Sequence, residues 1–274
     1  MQIGVYHELE VGKEVDFGFY LNSEAGEILL PIKYVPEGLK VGDTIKVFIY
    51  RDSEDRIIAT TLDPLAKLDD FAALEVKDTN DHGAFMEWGL EKDLFVPTRE
   101  QPIRYVIGRK HVVRVCLDHK TDRLVGTGKL RAFFNSDTSE LEEGQEVDLL
   151  IYNQTDKGYT AVVNQQYTGL IYGNEVFEPI AVGDKKSGYV KKIREDGKLD
   201  LTLNPIGKEA MDEHMQVVHN LLKLHDGFLP YHDKSDAAEI ADFFNMSKKA
   251  FKKAIGGLYK SKIITLEADG IRLI

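Results

Sequence analysis

Three stretches of this 274-residue chain share one internal spacing, and that repetition restricts the possible folds more than any other feature. A segment built around Asp-x-Gly (DFGFYLNSEAGEILLP, 16–31; DHGAFMEWGLEKDLFVP, 81–97; DKGYTAVVNQQYTGLIY, 156–172) precedes a second segment. That second segment begins at a glycine and ends on a charged hairpin (41–61, 107–129 and 182–203). Gly18 and Gly42 are 24 positions apart, Gly83 and Gly108 are 25, and Gly158 and Gly183 are 25. Such self-similarity points to an array of one small unit.

Within the unit the period is two. Ile45, Val47 and Ile49 alternate with Lys46, Phe48 and Tyr50, which predicts a half-buried strand. Val113, Val115 and Leu117 repeat the pattern against Arg114 and Cys116. In the third copy Lys186, Gly188 and Val190 hold the inner register, and Gly188 predicts a bulge or a close backbone approach. Charged turns such as 53–55 and 195–197 then reverse the chain into a hairpin. Each Asp-x-Gly reads as a tight turn or strand kink that needs the missing Cβ. Five short strands in roughly 65 residues suit a small closed barrel of the oligonucleotide/oligosaccharide-binding (OB) type. The expected fold class is therefore mainly β, with barrels over 1–63, 64–137 and 138–205 and a different unit over 206–274.

After Pro205 the period becomes 3.6. Met211, Met215, Val218 and Leu222 define a first helix over about 208–224. Asp236 with Glu239 forms a capping box ahead of Ile240, Phe243 and Phe244, and Ser247 caps a third helix with the stripe Phe251, Ala254, Ile255, Leu258. Lys248, Lys249, Lys252 and Lys253 fall off that stripe, and Asp269-Gly270 turns a final hairpin.

The second repeat resembles an S1-type RNA-binding domain in its D-H-G-A-F strand and the following hairpin. That resemblance implies that exposed aromatics of the early strands and a basic hairpin residue touch RNA. Carried over, it marks Phe17, Tyr20 and Arg56 in the first copy and Phe85 and Arg123 in the second, where His82 takes the first aromatic position. In the third copy it marks Tyr172 and Lys198, with Lys157 and Thr160 at the aromatic positions. Aromatics suit this task because unstacked bases present π-faces, while Lys and Arg hold the phosphates between them. The order helix, helix, basic helix, two-stranded wing resembles a winged-helix domain, whose third helix reads nucleic acid. Tandem S1-like OB-fold barrels with an α+β winged helix resemble the bacterial conserved virulence factor B family. The resemblance implies an RNA-binding regulator of gene expression with no assigned enzymatic reaction.

Composition bears on partners. The net charge of −11 opposes indiscriminate duplex binding, but its distribution is uneven: −6 over 1–63, zero over 64–137, −5 over 138–205 and zero over 206–274. An anionic ligand should find the second repeat and the tail least repulsive. One cysteine, Cys116, excludes an internal disulfide and a cysteine-built metal cage. His214 and His219 are five apart, off the spacing for two ligands on one helix face, and no phosphate-loop or zinc-protease motif occurs. No cofactor, no metal and no enzymatic activity are expected. The start lacks a signal peptide's basic-then-apolar order and no apolar run is long enough to span a bilayer, so a cytoplasmic protein without membrane contact is expected. The expected partner is single-stranded RNA. Two alternatives stand beside it: a regulator whose winged helix reads duplex DNA, and a protein-interaction scaffold without nucleic-acid affinity.

Overall fold

The computed structural model describes residues 1–176, 178–204 and 213–274. The repeats fold as three closed barrels of five strands each, followed by a helical unit with a three-stranded sheet. The first barrel contains β1 (Tyr6–Val15), β2 (Gly18–Ser23), β3 (Gly26–Pro31), β4 (Thr44–Arg51) and β5 (Ile57–Thr60). The second contains β6 (Phe71–Thr79), β7 (Gly83–Glu87), β8 (Leu94–Pro97), β9 (Lys110–Asp118) and β10 (Arg123–Thr127). The third contains β11 (Glu146–Thr155), β12 (Gly158–Val163), β13 (Tyr167–Tyr172), β14 (Lys185–Ile193) and β15 (Leu199–Thr202). In each, the third strand pairs in parallel with the fifth (β3 with β5, β8 with β10, β13 with β15), which closes the sheet.

The repetition extends to irregularities. The first strand of every barrel is bulged at one equivalent place, between Val11 and Lys13, Val76 and Asp78, and Ile151 and Asn153. Each bulge tightens the local twist that lets five short strands close. The expected kinks at Gly18, Gly83 and Gly158 are present: a Cβ on any of them would overlap the carbonyl oxygen of Leu30, Val96 or Ile171 across the hairpin. Gly188 also permits a close approach, to the Leu149 side chain, and the bulge in that strand falls further on, between Val190 and Lys192.

The half-buried reading of 45–50 needs correction. Val47, Phe48, Ile49 and Tyr50 are all buried, Phe48 at 0% exposure and Tyr50 at 2%, because the second barrel covers the outer face of β4. Phe48 sits edge-on to Tyr6 and to Trp88, the only tryptophan, with ring centroids 5.4 and 6.1 Å away. The second and third barrels meet through Phe71, Val112, Leu130, Leu150 and Val162, with Phe134 stacked on Phe71 at 5.3 Å. There the Gln165 amide donates to the Phe71 carbonyl at 3.1 Å and accepts from the Phe71 N–H at 2.7 Å, satisfying a strand end that would otherwise carry unpaired groups.

The last unit has α1 (Glu213–Leu224), β16 (Phe228–Leu229), α2 (Ala237–Phe244), α3 (Lys248–Lys260), β17 (Ile264–Leu266) and β18 (Ile271–Leu273), with sheet order β16-β18-β17. Asp236 caps α2 by accepting from the Ala238 and Glu239 N–H groups, and Ser247 caps α3 through the Ala250 N–H. The expected stripe Phe251, Ala254, Ile255 and Leu258 is buried against Val218, Leu222, Ile240 and Phe244. Met211, expected on the first helix, lies outside the described residues. Between α1 and α2 lies β16, a strand too short to show a period of two. Among the described residues no helix is long and apolar enough to cross a membrane.

Candidate nucleic-acid interface

Strand register places equivalent side chains of the three barrels on one outer face. Tyr20 pairs with Leu29, which pairs with Ile58 of β5. The same ladder in the second barrel runs Phe85, Phe95, Val125, and in the third Thr160, Leu170, Asp200. The hairpin residues Arg56, Arg123 and Lys198 each stand two positions before the last rung, hence on that face. The second barrel alone presents two phenylalanines there, their ring centroids 5.1 Å apart and tilted by 44°. In the third, Asp200 takes the Arg194 guanidinium at 2.6 Å, and the Tyr172 hydroxyl accepts from the same arginine. Tyr172 thus stands beside an internal ion pair, separated from any aromatic partner on its own ladder.

Phe17 is 54% exposed and meets Tyr20 edge-on at 6.3 Å, while Lys13 lies over the Tyr20 ring at 5.1 Å. Arg56 is drawn back into its own turn by Asp52 at 2.7 Å and Glu54 at 2.9 Å. Lys198 is likewise held by Asp196 at 2.5 Å. Arg123 is paired with Asp55 of the first barrel. All three basic hairpin positions therefore have carboxylate partners, which lowers the local positive potential without removing it, because exposed ion pairs are weak.

Phe85 and Arg123 come together in a groove of about 380 Å³ at the junction of the first two barrels. Its walls also include His82, Lys92, Phe95 and Trp88 from the second barrel, and Tyr50 and Asp55 from the first. Trp88 is fixed by donating its indole N–H to the Lys92 carbonyl at 2.6 Å. Burial pushes the Tyr50 hydroxyl well above its ordinary range, so it stays neutral. Phe95 was legible in principle from its alignment with Leu29 and Leu170. Lys92 and Asp55 carried no such signal, because they meet only when two repeats pack.

Cys116 lies on the outer face opposite Val125, and burial pushes its thiol up, away from thiolate reactivity. Among the described residues no group of three or more His, Cys, Asp or Glu is placed to hold a metal ion. On α3, Lys249, Lys252 and Lys253 are exposed and Lys248 partly so. Lys248 donates to the Lys234 carbonyl at 3.4 Å and Lys252 approaches Asp233 at 4.0 Å, which draws two of the four toward the loop before α2.

Residues 3–62 match the S1 domain family, and residues 216–273 match the CvfB-like winged helix domain. The Bacillus subtilis protein YitL is 30% identical over 268 residues, covering 95% of this chain and 90% of that one. Conserved virulence factor B of Staphylococcus aureus strain USA300 is 28% identical over 244 residues, covering 86% and 81%. A crystal structure of a multidomain protein with nucleic acid binding domains from Streptococcus pneumoniae aligns over 99% of this chain and 98% of the other. Its sequence identity is 25% and its TM-score 0.45.

Proposed function

Since the chain belongs to the conserved virulence factor B-like family, we propose that it is a regulatory, non-enzymatic protein of the cytoplasm that binds single-stranded RNA through its barrels. The observation that carries this reading is the groove at the first barrel junction, where the Phe85–Phe95 pair lies beside Arg123 and Lys92. Two phenyl faces accept an unstacked base of any identity, and two cations beside them suit the flanking phosphates. A duplex keeps its bases stacked and cannot offer them to that pair. Phe17, Tyr20 and Arg56 extend the surface on the first barrel. Tyr172 and Lys198 mark a weaker third contact, where Thr160 replaces the aromatic. Lys248, Lys249, Lys252 and Lys253 on α3 add a further phosphate-facing patch, and tethering lets such weak contacts act together.

Competition against a fluorescent single-stranded RNA tests this reading. Unlabelled single-stranded RNA should compete at least about tenfold better than duplex DNA of equal length, since each stacked base contributes about 1–3 kcal/mol. Binding should weaken as salt rises. Tighter binding to duplex DNA would instead favour recognition by α3, and no binding to either at low salt would favour a protein-interaction scaffold.

A further inference from the structure

The first two barrels exchange the acids of their hairpin turns. Arg51 of the first barrel bonds Asp122 of the second, its Nη2 at 2.6 Å from the carboxylate and its Nε at 2.8 Å from the carbonyl oxygen. In return, Arg123 of the second barrel donates to Asp55 of the first. The other Asp55 oxygen stands 3.3 Å from Lys92 Nζ, and that ammonium is fixed by the Asp52 carbonyl at 2.6 Å. Asp55 reaches this place because its backbone is left-handed, φ 62°, in a turn closed by its N–H on the Asp52 carbonyl at 3.0 Å. The result is a carboxylate shared between two cations in the groove that also holds Phe85 and Phe95. In the other barrels the hairpin cation pairs within its own turn, Arg56 with Asp52 and Lys198 with Asp196.

We propose that Asp55 is a resident phosphate mimic, so that the RNA site of the second barrel is completed and held shut by the first. An incoming backbone phosphate takes the Asp55 place between Arg123 and Lys92 as a base enters against Phe85 and Phe95. The inference rests on the single-stranded RNA reading above and adds the anion that RNA must displace. Three physical features support it. The Arg123–Asp55 pair is solvent-exposed on both sides, 51% and 39%, and an exposed pair is weak enough to yield. The two non-bridging oxygens of a backbone phosphate, like the two of a carboxylate, accept charge-assisted hydrogen bonds from guanidinium and ammonium. The hydrogen bond from Arg123, assisted by Lys92, also holds the Asp55 carboxyl below the usual carboxylate range, so the clasp stays ionised at neutral pH.

The test is a titration of a fluorescein-labelled single-stranded RNA of about 12 nucleotides, within the span of one or two OB folds, into full-length wild type, Asp55→Asn and Asp122→Asn. Asparagine tolerates the left-handed backbone at position 55, so the fold is retained; thermal unfolding and Trp88 emission check this. Losing the competing charge should tighten binding about fivefold, the scale of one exposed ion pair. Asp122→Asn loosens the same junction without freeing Arg123 or Lys92 and should leave affinity within about twofold of wild type. Affinity unchanged or weakened in Asp55→Asn, or tightened equally in Asp122→Asn, overturns the clasp. Wild type that binds the RNA while Asp55→Asn gains nothing defeats the clasp alone. Absence of binding by all three proteins defeats the RNA reading and the clasp together.

Discussion

Replacing Phe48 with alanine should destabilise the first two barrels by about 4 kcal/mol, the usual range for emptying a fully buried aromatic site. Phe48 occupies the face of β4 that an isolated barrel would leave to solvent, yet it is wholly enclosed between Tyr6, Tyr50 and Trp88. Truncation therefore removes edge-to-face contacts on both sides of the junction and leaves a cavity that strands on two closed barrels cannot collapse to fill. Denaturant unfolding followed by the emission of Trp88 reads the effect directly, because the lone tryptophan lies on the same interface. A midpoint shift equivalent to less than about 1 kcal/mol is what an exposed aromatic would give, and it would mean that the two barrels are not joined through this face.

A methyl group added at Gly18 should cost about 3 kcal/mol, at the upper end for forcing an atom into a packed site. The added Cβ has no room beside the Leu30 carbonyl, and φ is +148°, a conformation that side chains rarely adopt. The carbonyl belongs to β3, so it cannot retreat without breaking the β2–β3 ladder. Gly42→Ala is the matched comparison: its φ is +93° but nothing stands within 4 Å, so only backbone strain is added, about 1 kcal/mol. Melting temperatures of the two variants should separate accordingly, with Gly18→Ala several degrees lower. Equal shifts would show that the kink, rather than the close strand approach, determines the need for glycine.

The features read correctly in the sequence are those fixed within one repeat. Alternation in β9, the Asp-x-Gly kinks, the caps at Asp236 and Ser247 and the stripe on α3 depend on neighbours a few residues away or one strand across. What escaped was set between repeats. Phe48 and Tyr50 look like an outer face until a second barrel covers them, and no period of two can announce that. Arg56 and Lys198 share a position with Arg123, but local turn acids engage the first two while Asp55 of the neighbouring barrel engages the third. The charge count did single out the second repeat as least repulsive to an anion, and the paired phenylalanines fall on that barrel. It could not show that the nearest competitor for Arg123 is a carboxylate from the acidic first repeat.

The most direct measurement of the central claim is a single-stranded RNA titration of Phe85→Ala/Phe95→Ala beside wild type, with thermal unfolding of both. Both rings are only partly buried on the outer face of the second barrel, and its interior is filled by Leu74, Val76, Met86, Leu94 and Val115. Removing the rings should therefore lower affinity by a factor of about 10 or more, from stacking contributions of about 1–3 kcal/mol per base, while the melting temperature moves by only a few degrees. Unchanged RNA affinity in a folded double variant would contradict the assignment of this groove as the nucleic-acid site.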